Sequence, residues 1–342
     1  MKQINIIAEI GVNYYDIATK YNISLEAAAK LMIIEAKNAG ATAVKFQSYK
    51  AEKIAAKDSP SYWDITKEPT TNQYELFKKF DKFGEEEYRQ LADFCKVSGI
   101  EFMSTPFDLE AVEYLNELVN IHKISSSDLT NVPLLKKVAQ SKKPIILSTG
   151  ASTLEEVKQA VSTLEQAGAK KIILMHCILN YPTINSNANL GMLKDLKRLG
   201  YELGYSDHTL PDDKMLILTT AVNLGCTWIE KHFTLDKTLE GNDHYHAMNA
   251  EDLQKFSDNL KLLEEITGSE TKNYLPSEEI SRLNARRSWV TKGPVKAGTV
   301  ITEENIIAKR PATGISPTEV IVGKTFTKDL PDDHILQQGD IK

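Results

Sequence analysis

Two histidines close two neighbouring apolar runs of this chain, His208 at the end of Leu203–His208 and His232 near the end of Trp228–Thr234. Adjacent strands ending this way put two imidazoles on one rim. Neutral imidazole is the commonest protein ligand for a divalent transition metal. Glu230 lies two residues before His232, on the same face of its strand, and Asp207 precedes His208. Two histidines with a nearby carboxylate and open positions describe a catalytic metal site rather than a closed structural one. A lone rim histidine is more often a hydrogen-bonded core residue or a general acid; it is the pair on neighbouring strands that turns the reading to metal. His176 reads equally as support for that site or as a packed neighbour of Cys177. His244 and His246 follow in Gly241-Asn242-Asp243-His244-Tyr245-His246, where Asp243 is placed to hydrogen-bond a polyol and the histidines have no assigned role beyond bracing the loop.

The lysines point to anion binding. Lys45 stands between Val44 and Phe46, and Lys123 between His122 and Ile124. A lysine inside a barrel strand costs desolvation unless it is paired. Facing a rim, with Thr105, Ser126 and Ser148 as hydroxyl donors, two ammonium groups would cradle a phosphate and a carboxylate. Phosphoenolpyruvate carries both, although residue types alone admit any phosphorylated acid.

The elements that must position these groups are eight short runs rich in Ile, Val, Leu and Phe: Ile4–Gly11, Ala43–Tyr49, Glu101–Phe107, Ile121–Ser127, Pro144–Gly150, Lys171–Cys177, Leu203–His208 and Trp228–Thr234. Segments of helical period separate them. Leu25, Ala28, Ala29, Met32, Ile33 and Ala36 share one face before Gly40; Ser152 and Glu155 form a capping box ahead of a stripe from Leu154 to Leu164. Further helices are expected near 84–98, 108–119, 130–141, 188–199, 213–225 and 250–266. Strands alternating with helices form a parallel sheet, and eight close a barrel whose strand ends, Glu9 among them, converge on one rim. The fold class is therefore α/β, a (β/α)8 TIM barrel. One connection of about 35 residues between Tyr49 and Gly84 is long enough for a lid over the rim or for a packed excursion covering the barrel mouth.

The 342 residues exceed the roughly 250 of a typical barrel, so a second domain is expected. After residue 267 the pattern turns polar, and from Ser288 short strand-like pieces alternate with glycine. The organisation expected is a catalytic barrel over 1–266, a linker over 267–287 and a small β-rich domain over 288–342. In Lys309-Arg310-Pro311 an arginine held on a turn either recognises a carboxylate or sugar hydroxyls or is a solvated turn charge. The 41 basic and 47 acidic residues leave a net charge of −6 with no basic run, which argues against nucleic acid or a membrane surface as partner. Three widely spaced cysteines and the lack of a leader-like or membrane-spanning stretch lead to the expectation of a soluble cytoplasmic protein.

Ala8-Glu9-Ile10-Gly11-Val12-Asn13, Val44-Lys45-Phe46-Gln47, Ser104-Thr105-Pro106-Phe107, Leu147-Ser148-Thr149-Gly150, Tyr205-Ser206-Asp207-His208, Glu230-Lys231-His232-Phe233-Thr234 and the late Lys309-Arg310-Pro311 occur in this order. Together they resemble the sialic acid synthase family, which includes N-acetylneuraminate synthase and the legionaminic and pseudaminic acid synthases. The resemblance spans the chain. It implies a transferase that condenses phosphoenolpyruvate with an open-chain N-acetylated hexosamine, most simply N-acetylmannosamine, to give a nine-carbon 2-keto sugar acid and phosphate. It implies a divalent ion, manganese or magnesium, held by His208 and His232. Lys45, Thr105, Lys123, Ser126 and Ser148 would hold phosphoenolpyruvate, and Glu9, Gln47, Tyr181 and Asp243 would handle the sugar and water. The C-terminal domain resembles the antifreeze-like SAF (β-clip) type, which implies a domain-swapped homodimer with Arg310 completing the partner's site.

The chain departs from the family pattern where the sugar would sit. Asn13-Tyr14-Tyr15-Asp16 replaces Asn-His-Asn-Gly, Ser126-Ser127-Asp128 replaces Ser-Gly-Glu, Cys177-Ile178-Leu179-Asn180-Tyr181-Pro182 replaces Cys-Thr-Thr-Glu-Tyr-Pro, and Gly241-Asn242-Asp243-His244 replaces Gly-Pro-Asp-His. A 2,4-diacetamido-trideoxyhexose, the substrate of a legionaminic or pseudaminic acid synthase, is thus the alternative. A synthase acting on a sugar phosphate should need extra basic residues for the second phosphate, for which the rim supplies few candidates. A non-catalytic sugar-acid-binding or ice-binding protein leaves the paired histidines and strand lysines unexplained.

Overall fold

A computed structural model describes residues 3–241 and 243–342; Asn242, part of the loop motif above, lies outside the described residues. Eight parallel strands, β1 Asn5–Gly11, β2 Ala43–Ser48, β3 Glu101–Pro106, β4 His122–Ile124, β5 Ile145–Ser148, β6 Ile172–Cys177, β7 Glu202–Asp207 and β8 Trp228–His232, form one sheet in the order β3-β2-β1-β8-β7-β6-β5-β4. β3 and β4, at the two ends of that order, lie side by side. The sheet is thereby a nearly closed barrel with helices around it, a TIM barrel.

The period of two along each strand sorts the side chains. One parity, with Ala8, Ile10, Val44, Phe46, Leu147 and Ile229, packs against the helices in the main core. The other faces the barrel interior, where Ile7, Ala43, Met103, Ile121, Ile146, Ile173 and Met175 form a separate apolar cluster with Trp228 packed on it. Two residues further along, the same faces carry Glu9, Lys45, Thr105, Lys123, Ser148, Cys177 and Glu230. The interior is thus a plug at one end and a polar site at the other. Gly204 makes the plug possible: a Cβ there would meet Met175 Cε at 2.9 Å and the Trp228 carbonyl at 3.0 Å.

The helices form where hydrophobic period and caps agree. Leu25–Asn38 starts on Ser24, whose side chain accepts from Ala27 N, and buries Ala28, Ala29, Met32, Ile33 and Ala36. Helices also run over Glu85–Ser98, Leu109–Leu118, Val132–Ala139, Leu154–Gln166, Leu193–Arg198, Leu216–Asn223 and Ala250–Thr267. The capping box lies one residue later than expected, on Thr153 and Glu156, because Ser152 Oγ donates to the Gly150 carbonyl instead. β4 is also shorter than expected: Ser125 caps a 3-10 turn over Ser126–Asp128 that takes these residues out of the sheet. A helix over Tyr14–Tyr21, not anticipated, follows β1, and Tyr14 is buried against Phe46 and Phe83 with ring centroids 5.8 and 4.9 Å apart.

The long connection after β2 is a packed excursion with internal bonds of its own. Lys50 Nζ donates to the Asp81 and Phe83 carbonyls at 2.7 and 2.8 Å, and Trp63 Nε1 donates to the carbonyls of Glu68 and Thr70. Short helices over Ala51–Ile54 and Gln73–Lys79 lie within it.

The chain divides into one unit ending at Thr267 and a second, Gly268–Lys342. The second holds an antiparallel pair, β9 Ser288–Thr291 and β10 Ile306–Lys309, with isolated bridges around a small core that includes Ile301, Phe326 and Leu336. The stretch expected as linker includes an exposed short helix over Glu279–Ala285. Arg310, directly after β10, is exposed. Among the described residues no helix is long and apolar enough to cross a membrane.

Candidate active site

Strand register sets the floor of the site. Glu9 on β1 lies opposite Lys45 on β2 and opposite His232 on β8, so an acid, an ammonium and an imidazole share one level of the barrel. Lys45 Nζ stands 2.5 Å from Glu9 Oε2, 3.1 Å from Thr105 Oγ1 and 3.7 Å from Glu230 Oε1. Lys123 Nζ reaches the same Glu230 oxygen at 3.3 Å, and Ser206 Oγ donates to it at 3.1 Å. Four buried charged groups thus form one chain, Glu9–Lys45–Glu230–Lys123.

Burial pushes the Glu9 carboxyl up to about 7, with Lys45 pulling it down and Glu230 adding to the rise. Burial also works against ionised Glu230, but Lys123 and Lys45 together hold its carboxyl down to about 2. The lysine ammonium groups are therefore bound to one firmly ionised carboxylate, with Glu9 poised near neutrality. Opposite them, Ser148 Oγ is buried without a hydrogen-bond partner. Ser126 Oγ accepts from Gly150 N at 2.9 Å. Ammonium groups and hydroxyls converging here supply the donors that an anionic ligand needs.

The other half of the rim belongs to the histidines. The rings of His208 and His232 lie 5.4 Å apart. His208 Nδ1 donates to the Ile178 carbonyl at 2.8 Å, which leaves Nε2 as the bare lone pair. His232 Nδ1 is buried without a hydrogen-bond partner. Burial lowers both imidazoles, His208 to about 4 and His232 well below its ordinary value, so both are neutral at pH 7, the form that binds a metal. Among the described residues no three His, Cys, Asp or Glu side chains are grouped to hold an ion by themselves. The pair fits an open, substrate-completed metal site rather than a closed one.

The expected carboxylates are not the ones beside this pair. Glu230 is engaged by the two lysines. Asp207 turns away from the cavity, binding Lys231 Nζ at 2.6 Å and accepting from the Tyr205 hydroxyl at 2.8 Å. The carboxylate near the imidazoles is that of Asp243, with Oδ2 3.7 Å from His232 Nδ1.

Asp207 and its partners apart, these side chains line a single cavity of about 360 Å³ together with Gln47 and Tyr181. Gln47 Nε2 donates to Glu9 Oε1 at 3.0 Å. The Tyr181 ring packs on His208 with centroids 4.2 Å apart. Tyr62, Trp63, Leu76, Phe77 and Phe80 from the excursion, with Tyr49 and Phe107, make an apolar wall. Ser206 is a cavity residue that the sequence motifs do not single out, although its place two residues before His208 puts it on the cavity face. His244 lines the cavity as a brace, Nδ1 on Thr234 Oγ1 at 2.8 Å and Nε2 on Asp16 Oδ2 at 3.1 Å. His176 does not reach it: Nε2 donates to the Ala188 carbonyl at 3.0 Å, and the ring stacks on Tyr205.

Residues 32–272 match the NeuB family model and residues 286–342 the SAF domain model. The chain is 38% identical over 347 residues to the N,N'-diacetyllegionaminic acid synthase of Campylobacter jejuni, covering 99% of this chain and 100% of that protein. It is 36% identical over 335 residues to the enzyme of the same name from Legionella pneumophila, covering 95% and 91%. Among solved structures, the N-acetylneuraminic acid synthetase of Leptospira borgpetersenii in complex with citrate superposes with a TM-score of 0.68 at 32% identity, over 82% of this chain and 90% of that one.

Proposed function

This chain belongs to the NeuB family, and from that premise and the site's charges we propose that it is a nonulosonic acid synthase, a phosphoenolpyruvate-dependent transferase. It joins phosphoenolpyruvate to an open-chain N-acetylhexosamine, N-acetylmannosamine by preference, and releases a nine-carbon 2-keto sugar acid and phosphate. The observation that carries this is the placing of Lys45, Lys123, Thr105, Ser126 and Ser148 around one cavity with two neutral imidazoles across from them.

The two lysines and three hydroxyls hold the phosphate and carboxylate of phosphoenolpyruvate, and the Glu230 carboxylate keeps both ammonium groups in place before it arrives. C3 of phosphoenolpyruvate forms a bond to the sugar's aldehyde carbon, whose oxygen becomes a hydroxyl. Water adds at C2, and the resulting tetrahedral centre expels phosphate. Glu9, steadied by Gln47 and poised near neutrality, takes or returns a proton beside this water. Tyr181 and Asp243 orient the sugar. His208 and His232 would hold a manganese or magnesium ion, which supplies Lewis-acid polarisation of the sugar aldehyde. The SAF domain would lend Arg310 to the site of the partner in a domain-swapped homodimer.

Phosphate release from phosphoenolpyruvate, measured over N-acetylmannosamine, its 6-phosphate and a 2,4-diacetamido-trideoxyhexose, tests the reaction and ranks the sugars. Release that requires one of these sugars, stops on chelation and returns with Mn2+ is expected. Sugar-independent or absent release refutes the synthase, and full activity after chelation removes the metal from it.

A further inference from the structure

His246 is completely buried, yet neither of its ring nitrogens has a hydrogen-bond partner. A buried polar group left in that condition is destabilising, and each case in a folded protein calls for a reason. Its surroundings supply one. The ring packs edge-on against His232, with centroids 4.9 Å apart at 75°, and against His208 at 6.1 Å and 79°. Asp243 stands between His246 and His232: Oδ1 is 3.7 Å from His246 Nε2, and Oδ2 is 3.7 Å from His232 Nδ1. His246 itself does not line the cavity, so it lies behind these groups rather than against a substrate.

An imidazole that binds a metal takes its orientation from a partner on its other nitrogen. His208 has such a partner in the Ile178 carbonyl. His232 has none at hydrogen-bond distance, and Asp243 is the carboxylate nearest to fill the place. An approach of about 0.5–1 Å would bring both 3.7 Å separations into hydrogen-bond range. His246 Nε2–H would then donate to Asp243 Oδ1, and His232 Nδ1–H to Asp243 Oδ2. We infer that His246 is a positioning residue of the metal centre, fixing the Asp243 carboxylate so that this carboxylate orients His232. The inference rests on the reading of His208 and His232 as metal ligands.

The test is a titration of the full chain with Mn2+, free ion being read by its EPR signal, for wild type, H208A, H246F and H246Q. Phosphoenolpyruvate affinity without metal is measured in parallel by intrinsic fluorescence. H246F is expected to bind Mn2+ about 10–100-fold more weakly, the usual effect of removing such a partner, while its affinity for phosphoenolpyruvate is unchanged. H246Q, whose amide can donate to Asp243, should recover most of the loss. Wild-type Mn2+ affinity in H246F alongside lost affinity in H208A overturns the role of His246 alone. So does an equal loss of Mn2+ and phosphoenolpyruvate affinity in H246F, which marks a merely structural residue. Wild-type affinity in H208A overturns the metal reading and this inference with it. If the melting curve shows that H246F does not fold, H246N, too short to reach Asp243, takes its place in the same comparison.

Discussion

The Lys45 ammonium stands 2.5 Å from Glu9 Oε2 at the level of the barrel where His232 also ends its strand. Burial, opposed by Lys45 and reinforced by Glu230, raises the Glu9 carboxyl from 4.5 to about 7. In that interval the folded chain keeps a proton that the unfolded chain has released. Stability contributed by this group is therefore complete at low pH and is lost as pH rises from 4.5 through about 7. Urea unfolding between pH 5 and 8 should show this slope in wild type and a flatter one in E9Q. If ionised Glu9 serves the reaction, kcat/KM rises through the same window, and E9Q has lower activity without that rise.

Replacing Lys123 with Met leaves Glu230 buried with Lys45 as its remaining cation, 3.7 Å away. Truncating one member of a buried, hydrogen-bonded charge pair costs about 2–5 kcal/mol. That cost falls on stability; the pair that Lys123 would make with the phosphoenolpyruvate anion is lost as well, and a loss of the same size there should lower kcat/KM for phosphoenolpyruvate roughly 30-fold to several thousand-fold. Adding E230Q should restore part of the thermal stability and none of the activity, which steady-state kinetics and a melting curve on the same samples distinguish.

Ser148 offers the opposite signature. Its hydroxyl is buried without a hydrogen-bond partner in the protein, so S148A removes an unsatisfied group and should leave stability unchanged or raise it by up to about 1 kcal/mol. The same change deletes a donor to the anion, and KM for phosphoenolpyruvate should rise about tenfold. A drop in both stability and affinity would assign the hydroxyl to the fold.

Asp207 and Lys231 form a buried pair on the helix-facing side of β7 and β8, with Lys231 also donating to the Thr209 carbonyl at 2.6 Å. Neutralising the acid by D207N leaves the ammonium buried without its counterion, a change that costs about 3–5 kcal/mol. Burial disfavours the Asp207 carboxylate, but Lys231, with the Thr209 N–H and the Tyr205 hydroxyl, more than offsets it and the carboxyl lies below its ordinary 3.8. Its stabilisation is therefore present above pH 3.8 and is lost as pH falls further. Chemical denaturation of wild type and D207N should differ most near neutrality and converge in acid.

A chain carrying R310A and one carrying H232A should each be inactive, and refolded together they should recover up to about a quarter of wild-type activity, since half the dimers would hold one intact site. No recovery, with mixed dimers demonstrated by mass spectrometry, removes the swapped arginine.

Much of this site was legible because strand residues alternate: once the apolar runs are placed, the parity of Ile7 decides that Glu9 faces inward, and that of Ala43 decides the same for Lys45. Pairings across strands were less accessible. Glu230 reads from its position as a neighbour of His232 and hence of the expected metal, whereas register and the length of two lysines draw it to Lys45 and Lys123. Asp207 sits next to His208 in the chain, and that adjacency sends it to the opposite face. Loop contributions were the least legible, since nothing in the spacing of Tyr62, Trp63, Leu76 and Phe77 foretells that they share a wall.

That wall comes largely from one stretch of chain, residues 50–83, which has its own internal bonds and a few ties to the rest, such as Lys82 N donating to the Tyr15 hydroxyl and Gly241 N donating to the Lys67 carbonyl, while the floor beneath it is shared among eight strands. The two parts therefore answer to different constraints. The charged floor residues are bonded across strands, so a change at Glu9, Lys45, Lys123 or Glu230 is felt by neighbours on other strands, but the wall can be exchanged as a cassette. Grafting this stretch between relatives would be a direct way to move sugar preference from one scaffold to another while the bond-forming apparatus stays as it was.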